Sequence, residues 1–332
     1  MEGIETKIRE TAKALFSEKK IDILIGHEKG SLVFHSRPVM IRDANDTERL
    51  VWNSFCTNNL AVYLPRFFEP KKPKKGEVPP PLPRVAVIAK GCDARSIIGL
   101  VRERQVPRQN LIIIGVPCEG MIDKSKLEKL LEGDFIASGS IKDGGTSITG
   151  FSGKRLDIKK EQVLLDACIE CAFPVVEDAD IAIAGTSRKP ATEKYKTAKS
   201  FSEKSPAERW RYFAQEISKC IRCYACRQVC PNCYCKECFV EQTNPRWVSA
   251  GDDLSEKMVF HIGRVFHQAG RCVECDACVR ACPVGIDIRT FTQKVAQDVK
   301  EMFDYCPGFS PEVSPPLCAY RLDDRQEFIT EP

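Results

Sequence analysis

Two stretches of the chain repeat one cysteine spacing, C-x2-C-x2-C-x3-C-P. The first is Cys220, Cys223, Cys226 and Cys230-Pro231; the second is Cys272, Cys275, Cys278 and Cys282-Pro283. No other feature restricts the fold as much. Three thiolates at this spacing wrap a short loop around one inorganic cluster, and the fourth sulfur reaches a second cluster. By that crossing rule one [4Fe–4S] cluster takes Cys220, Cys223, Cys226 and Cys282. The other takes Cys272, Cys275, Cys278 and Cys230. Zinc is the competing occupant, but its sites pair two C-x2-C knuckles in a tetrahedral set. Three cysteines followed by x3 and proline, twice over, fit that geometry poorly.

The chain has 18 cysteines, 15 of them at or beyond residue 168. Its first residues, MEGIETKIRE, are charged and lack the apolar segment of a secretory signal. No run approaches the ~18 apolar residues that a membrane span needs. The expectation is a cytoplasmic protein whose thiols stay reduced, so a disulfide scaffold is disfavoured. The net charge is only +4, with 50 basic and 46 acidic residues in 332. This gives no reason to expect nucleic acid or a membrane surface as partner, and a zinc-bearing nucleic-acid binder lacks the basic face it would need.

Upstream, residues 4–20 repeat Ile and Leu at helical spacing, and IDILIGHEKG and SLVFHSRPVMIR read as two neighbouring strands. The Pro- and Lys-rich segment 65–84 reads as an exposed loop. VAVIA and LIIIGV flank DARSIIGLVRER, a strand–helix–strand unit that makes parallel strands. Cys92 and Cys118 each follow one of these strands, so both belong at the carboxyl edge of the sheet, where open α/β sheets bind ligands. Residues 142–153 are rich in Gly, Ser and Thr and read as a simple turn. Cys168 and Cys171 form a C-x2-C pair before the apolar run DADIAIAG. A polar stretch at 185–205 marks a boundary between domains 1–190 and 191–332. Ser205-Pro206-Ala207-Glu208 is a capping box with proline in the first turn. It opens a helix expected to turn Trp210, Phe213 and Ile217 inward. The fold expected is an α/β domain with a mixed or parallel sheet, followed by a mainly α-helical ferredoxin-type domain.

Cys92, Cys118, Cys168 and Cys171 supply four more thiolates, enough for one cubane or one tetrahedral zinc, and spacing alone does not choose. GCDARSIIGLVRERQ, IIIGVPCEG and CIECAFPVVEDADIAIAG, in that order, resemble segments of the beta-subunit family of coenzyme F420-reducing hydrogenases and formate dehydrogenases. The resemblance covers roughly residues 20–185. It implies a third [4Fe–4S] cluster on Cys92, Cys118, Cys168 and Cys171. It also implies a flavin, FAD, with Lys90, Gly91, Asp93 and Arg95 as the expected contacts. The C-terminal half resembles the helical ferredoxin of heterodisulfide reductase C subunits, in which a helical insertion similar to residues 239–270 separates the two motifs. What the resemblances imply is an electron-transfer subunit whose partners are subunits of hydrogenase, formate dehydrogenase or heterodisulfide reductase type. A flavin-free adaptor that only wires and docks its partners is the alternative.

The remaining groups get plainer readings. No catalytic residue stands out, and His27, His35, His261 and His267 are expected to be structural or surface groups. Asp93 caps a helix or meets a cofactor. Cys56 packs as a small hydrophobe. Cys233, Cys235 and Cys238 stay unassigned, either as free thiols or as a further site with Cys306 or Cys318. Arg222, Arg227, Arg271 and Arg280 interleave with the ligands, where positive charge favours the reduced state of a cluster.

Overall fold

The computed structural model describes residues 2–69, 80–142, 144–249, 251–320 and 322. Much of the proline-rich loop, residues 70–79, lies outside these, while PRFF just before it ends in helix α2 (Leu64–Phe68). A five-stranded sheet organises the first half, in the order β2 (Ser36–Ile41), β1 (Ile23–Lys29), β3 (Val85–Ala89), β4 (Leu111–Gly115) and β8 (Ile181–Ala182). β1 and β2 are antiparallel and the other pairs parallel, so the sheet is mixed.

Every residue of β3 is buried, because both faces of the sheet are covered. Val85 and Val87 face Ile97 and Leu100 of α3 (Gly91–Arg102). Ala86 and Ile88 turn the other way, toward Ile4, Ile8 and Leu15 of α1 (Glu2–Ser17). Alternating side chains thus anchor one strand in two cores, each large apolar residue contributing about 1.5–3 kcal/mol. This packing fixes the carboxyl ends of β3 and β4, from which Cys92 and Cys118 project.

Helix α4 (Lys124–Leu130) leads into a second, antiparallel sheet of β5 (Ile136–Lys142), β6 (Gly145–Gly150) and β7 (Arg155–Lys159). The Gly/Ser/Thr stretch expected as a simple turn therefore contains a central strand. Thr146, Ser147 and Ile148 are buried there, and Ile148 packs with Phe55 and Leu127. Small polar residues hid a strand whose partners lie on both sides.

After the one-turn α5 (Asp166–Ile169), the second half is helical: α6 (Lys196–Ser202), α7 (Pro206–Ser218), α8 (Ala225–Gln228), α9 (Leu254–His267), α10 (Ala277–Arg280) and α11 (Ile288–Phe303). α7 opens on the expected capping box, Glu208 N donating to Ser205 Oγ at 3.3 Å. Its inward face is shorter than expected. Ile217 is fully buried, but Trp210 is 58% exposed and rests on Phe213 at the rim, 5.8 Å between ring centroids. Among the described residues of the insertion 239–270, only α9 is helical.

Candidate iron–sulfur centres

The sheet edge gathers the four upstream cysteines. Cys92 is the second residue of α3, and Cys118 follows β4, its N–H donating to Pro174 O at 2.8 Å. α5 carries Cys168, and Cys171 lies just beyond it. Gly91 permits the approach: a Cβ there would meet Phe173 O at 1.9 Å, so any side chain would push the helix start away from the Cys171 loop. Backbone N–H groups point at three of the sulfurs, from Gly120 to Cys118 (3.4 Å), Met121 to Cys168 (3.3 Å) and Phe173 to Cys171 (3.4 Å).

The duplicated motifs fold alike. Arg222 and Tyr224 in the first, and Glu274 and Asp276 in the second, all adopt left-handed backbone, with φ of 52°, 57°, 60° and 53°. They occupy the same two positions of each repeat, two and four residues after the leading cysteine. A non-glycine residue pays roughly 1 kcal/mol or more for that conformation, which persists where the surroundings demand it. Here the bend aims N–H groups at sulfur, from Arg222 to Cys220 (3.3 Å) and Glu274 to Cys272 (3.4 Å). The third cysteine of each motif sits in a one-turn helix, α8 or α10, and the fourth comes just after it.

The thiols can be grouped by which of them lie close enough to interact. Cys220 interacts with Cys223 and Cys282, and Cys226 with Cys220 and Cys282. Cys278 and Cys275 each interact with Cys230, and Cys272 with Cys275 and Cys278. At the sheet edge Cys118 interacts with Cys168 and Cys171, and Cys92 with Cys118. We call these the outer, inner and sheet-edge sets. They lie in series, because Cys92 also feels Cys275 and Cys226 feels Cys278.

Burial and neighbouring thiolates make the bare sulfurs poor acids. Burial, then Cys168, pushes the Cys118 thiol up to about 12. Burial also pushes Cys226 and Cys275 up to about 11. Buried thiols of this kind are satisfied when they bind metal as thiolates. Among the described residues, no three His, Cys, Asp or Glu side chains gather tightly enough for a single metal ion. A cubane does not require that, since each of its four cysteines binds a different iron. The donor sets fit [4Fe–4S] clusters on these grounds.

The expected flavin contacts are already engaged within the protein. Lys90 and Asp93 form a buried ion pair at 2.9 Å. Burial opposes the Lys90 charge, but Asp93 and the thiolates of Cys92 and Cys118 outweigh it and hold its pKa above the ordinary lysine value. Asp93 also caps α3, accepting from Lys90 N at 2.9 Å and Leu60 N at 2.7 Å. Arg95 ties the halves together, donating to Pro307 O at 2.9 Å and Val273 O at 3.3 Å and stacking on Phe173. Cys56 is buried as expected, and among the histidines His27 and His261 are buried.

The interleaved arginines have partners too. Arg222 donates to Ser249 O at 2.6 Å, Arg227 pairs with Glu241 at 2.7 Å and Arg271 with Glu103 at 2.6 Å. Arg280 bridges Cys275 O (2.8 Å) and Thr57 O (2.9 Å). The sequence reading missed Arg264, which lies 34 residues beyond Cys230 and outside both motifs yet faces sulfurs of both. Helical spacing from Phe260, the buried centre of α9, is the signal that places it inward. Cys233, Cys235 and Cys238 line one small cavity of about 50 Å³ with Arg264 and His267.

This architecture defines an iron–sulfur electron-transfer protein built from an α/β domain and a helical dicluster domain. Residues 82–204 match the family model for the C terminus of the coenzyme F420 hydrogenase/dehydrogenase beta subunit, and residues 216–286 match the 4Fe-4S dicluster domain. The chain is thus similar to that beta-subunit family over its α/β half and to dicluster domains over its helical half. It is 24% identical to the F420-dependent formate dehydrogenase subunit beta of Methanocaldococcus jannaschii, over 91% of both chains. It is 22% identical to the F420-dependent formate dehydrogenase 1 subunit beta of Methanococcus maripaludis, over 92% of this chain and 91% of the relative. Among solved structures, a chain of the F420-reducing [NiFe] hydrogenase complex from Methanosarcina barkeri aligns with 53% of this chain and 64% of its own. It shares 18% identity at a TM-score of 0.38.

Proposed function

We propose that the chain carries electrons through three [4Fe–4S] clusters held by the sheet-edge, inner and outer sets, between a flavin in the α/β domain and a partner subunit at the outer end. The serial placement of the three sets carries this reading: Cys92 lies beside the inner set, and Cys278 of the inner set beside Cys226 of the outer. Clusters supply one-electron steps, and a flavin joins these to a two-electron hydride donor. The chain's own residues hold the sulfurs and donate N–H groups to them. At the outer end Cys223 is exposed, which marks the face toward a partner. By similarity to the beta subunits above, the hydride carrier is F420 or a related donor. The partner is a formate dehydrogenase or hydrogenase subunit, with a heterodisulfide-reductase-type module as a further acceptor.

A cavity of about 530 Å³, lined by Lys29, Phe34, His35, Asn53, Phe55 and Ser138 among others, is large enough to take part of a flavin. Its wall residue Phe55 precedes Cys56, which packs with Cys118 and Cys168, so a ring bound there would lie one residue layer from the sheet-edge sulfurs. The flavin-free adaptor reading draws on one observation: Lys90, Asp93 and Arg95 spend their polar atoms on the protein itself. Anaerobic purification followed by iron, zinc and flavin quantification on one sample decides between the two. The proposal expects about twelve irons and one FAD per chain, four irons for each cysteine set. Full iron without flavin supports the adaptor, and zinc in place of iron sinks both.

A further inference from the structure

Arg264 carries a charge into the core of the helical half, where it is 3% exposed. Its Nη2 donates to Cys226 O at 3.0 Å, while Nε and Nη1 have no hydrogen-bond partner. The negative groups that face it are sulfurs: Cys278 and Cys230 of the inner set, Cys226 of the outer set, and Cys233. A buried guanidinium with idle donors costs several kcal/mol unless something nearby compensates it. Arg227, Arg271 and Arg280 sit beside the same motifs but spend their charge or hydrogens on Glu241, Glu103 and backbone carbonyls. Among the described residues Arg264 has no carboxylate partner; beyond its bond to Cys226 O, its unpartnered Nε and Nη1 lie at the junction of two cysteine sets.

We propose that Arg264 is a positioning residue shared by the inner and outer centres, donating from its unpartnered Nε and Nη1 to sulfur at their junction and raising both midpoint potentials together. Hydrogen bonds and positive charge near a cluster stabilise its reduced state. One electron entering either cluster adds a negative charge beside the same cation. No bond forms or breaks, and no proton is needed. A single guanidinium therefore moves the two centres in step, so that neither becomes a trap for electrons passing between them.

The inference rests on the reading that these eight cysteines hold two clusters, which iron content and the wild-type spectrum test separately. The deciding experiment is an EPR-monitored redox titration of the full chain, anaerobic, in wild type, R264Q and R264K. With iron content unchanged, R264Q is expected to shift both helical-half midpoint potentials to more negative values. R264K should shift them less, because it keeps the charge and loses the forked donors. The sheet-edge centre should stay where it is. A shift in only one helical-half cluster, or in neither, overturns the proposal. Should R264Q lose iron, the same criterion is applied to R264K.

Discussion

The two halves of this chain hold their sulfurs by opposite means. The α/β half buries its cysteines beneath a conventional apolar core, with Ile, Val and Leu on both faces of β3 and β4. In the helical half the cysteines belong to the core: Cys220 and Cys226 pack with Phe260, Ile217 and Ile288, and Cys278 and Cys282 adjoin them. Arg264, Arg289, Gln293 and Gln297 are buried around them. A sheet that can fold on its apolar contacts offers a site to a cluster, whereas a core built from thiols and arginines needs the cluster to be complete.

The largest test of that contrast is removal of iron. Chelation under anaerobic, reducing conditions should abolish amide-exchange protection in α9 and α11 while β3 and β4 keep theirs. Equal loss in both halves, or none in α9, would break the comparison. Next comes the removal of one buried charge from each half. Arg289 joins Asp276 at 2.7 Å and Glu170 at 3.3 Å, much as Lys90 joins Asp93. Lys90→Met and Arg289→Met should each cost about 3–5 kcal/mol by leaving carboxylates buried and unpaired. Denaturant melts followed separately in the two halves should place the first loss in the sheet and the second at the joint with the helices.

The smallest effect is the share of the acid dependence that His27 contributes in the α/β half, beside that of His261 in the helical half, whose pKa burial lowers to about 4. Burial, with Lys90 nearby, holds the His27 pKa well below its ordinary value of 6.5. The unfolded chain then binds the proton more readily than the folded one. Stability should fall as pH drops below 6.5, by about 1.4 kcal/mol per unit from this group, and be unaffected by it above. A His27→Leu variant that keeps the full acid slope would assign the effect elsewhere.

The sequence revealed what short spacings carry. The two motifs and the capping box of α7 are each settled within a dozen or so residues and the β3–α3–β4 unit within residues 85–115, and the structure forms the unit and the box where their patterns point. What it hid depends on distant partners. Arg95 reads as a cofactor contact beside Cys92, yet its acceptor Pro307 lies 212 residues away. Arg280 similarly bonds Thr57 across 223 residues. The β5–β7 sheet escaped notice because Gly and Ser at its positions carry no strand signal of their own. Gly308 shows the same dependence on distant contacts. It has a φ of +79°, and a Cβ there would meet the Arg95 backbone at 2.3 Å, so the docking of the C-terminal segment onto α3 requires glycine.

The exposed Cys223 also sets how the protein meets air. The inner and sheet-edge cysteines are half-buried and Cys220 and Cys226 of the outer set are buried, whereas Cys223 is exposed. With a cluster held there as proposed, dioxygen would reach that corner first. A partner seated over Cys223 would then serve as a seal as well as a destination for electrons.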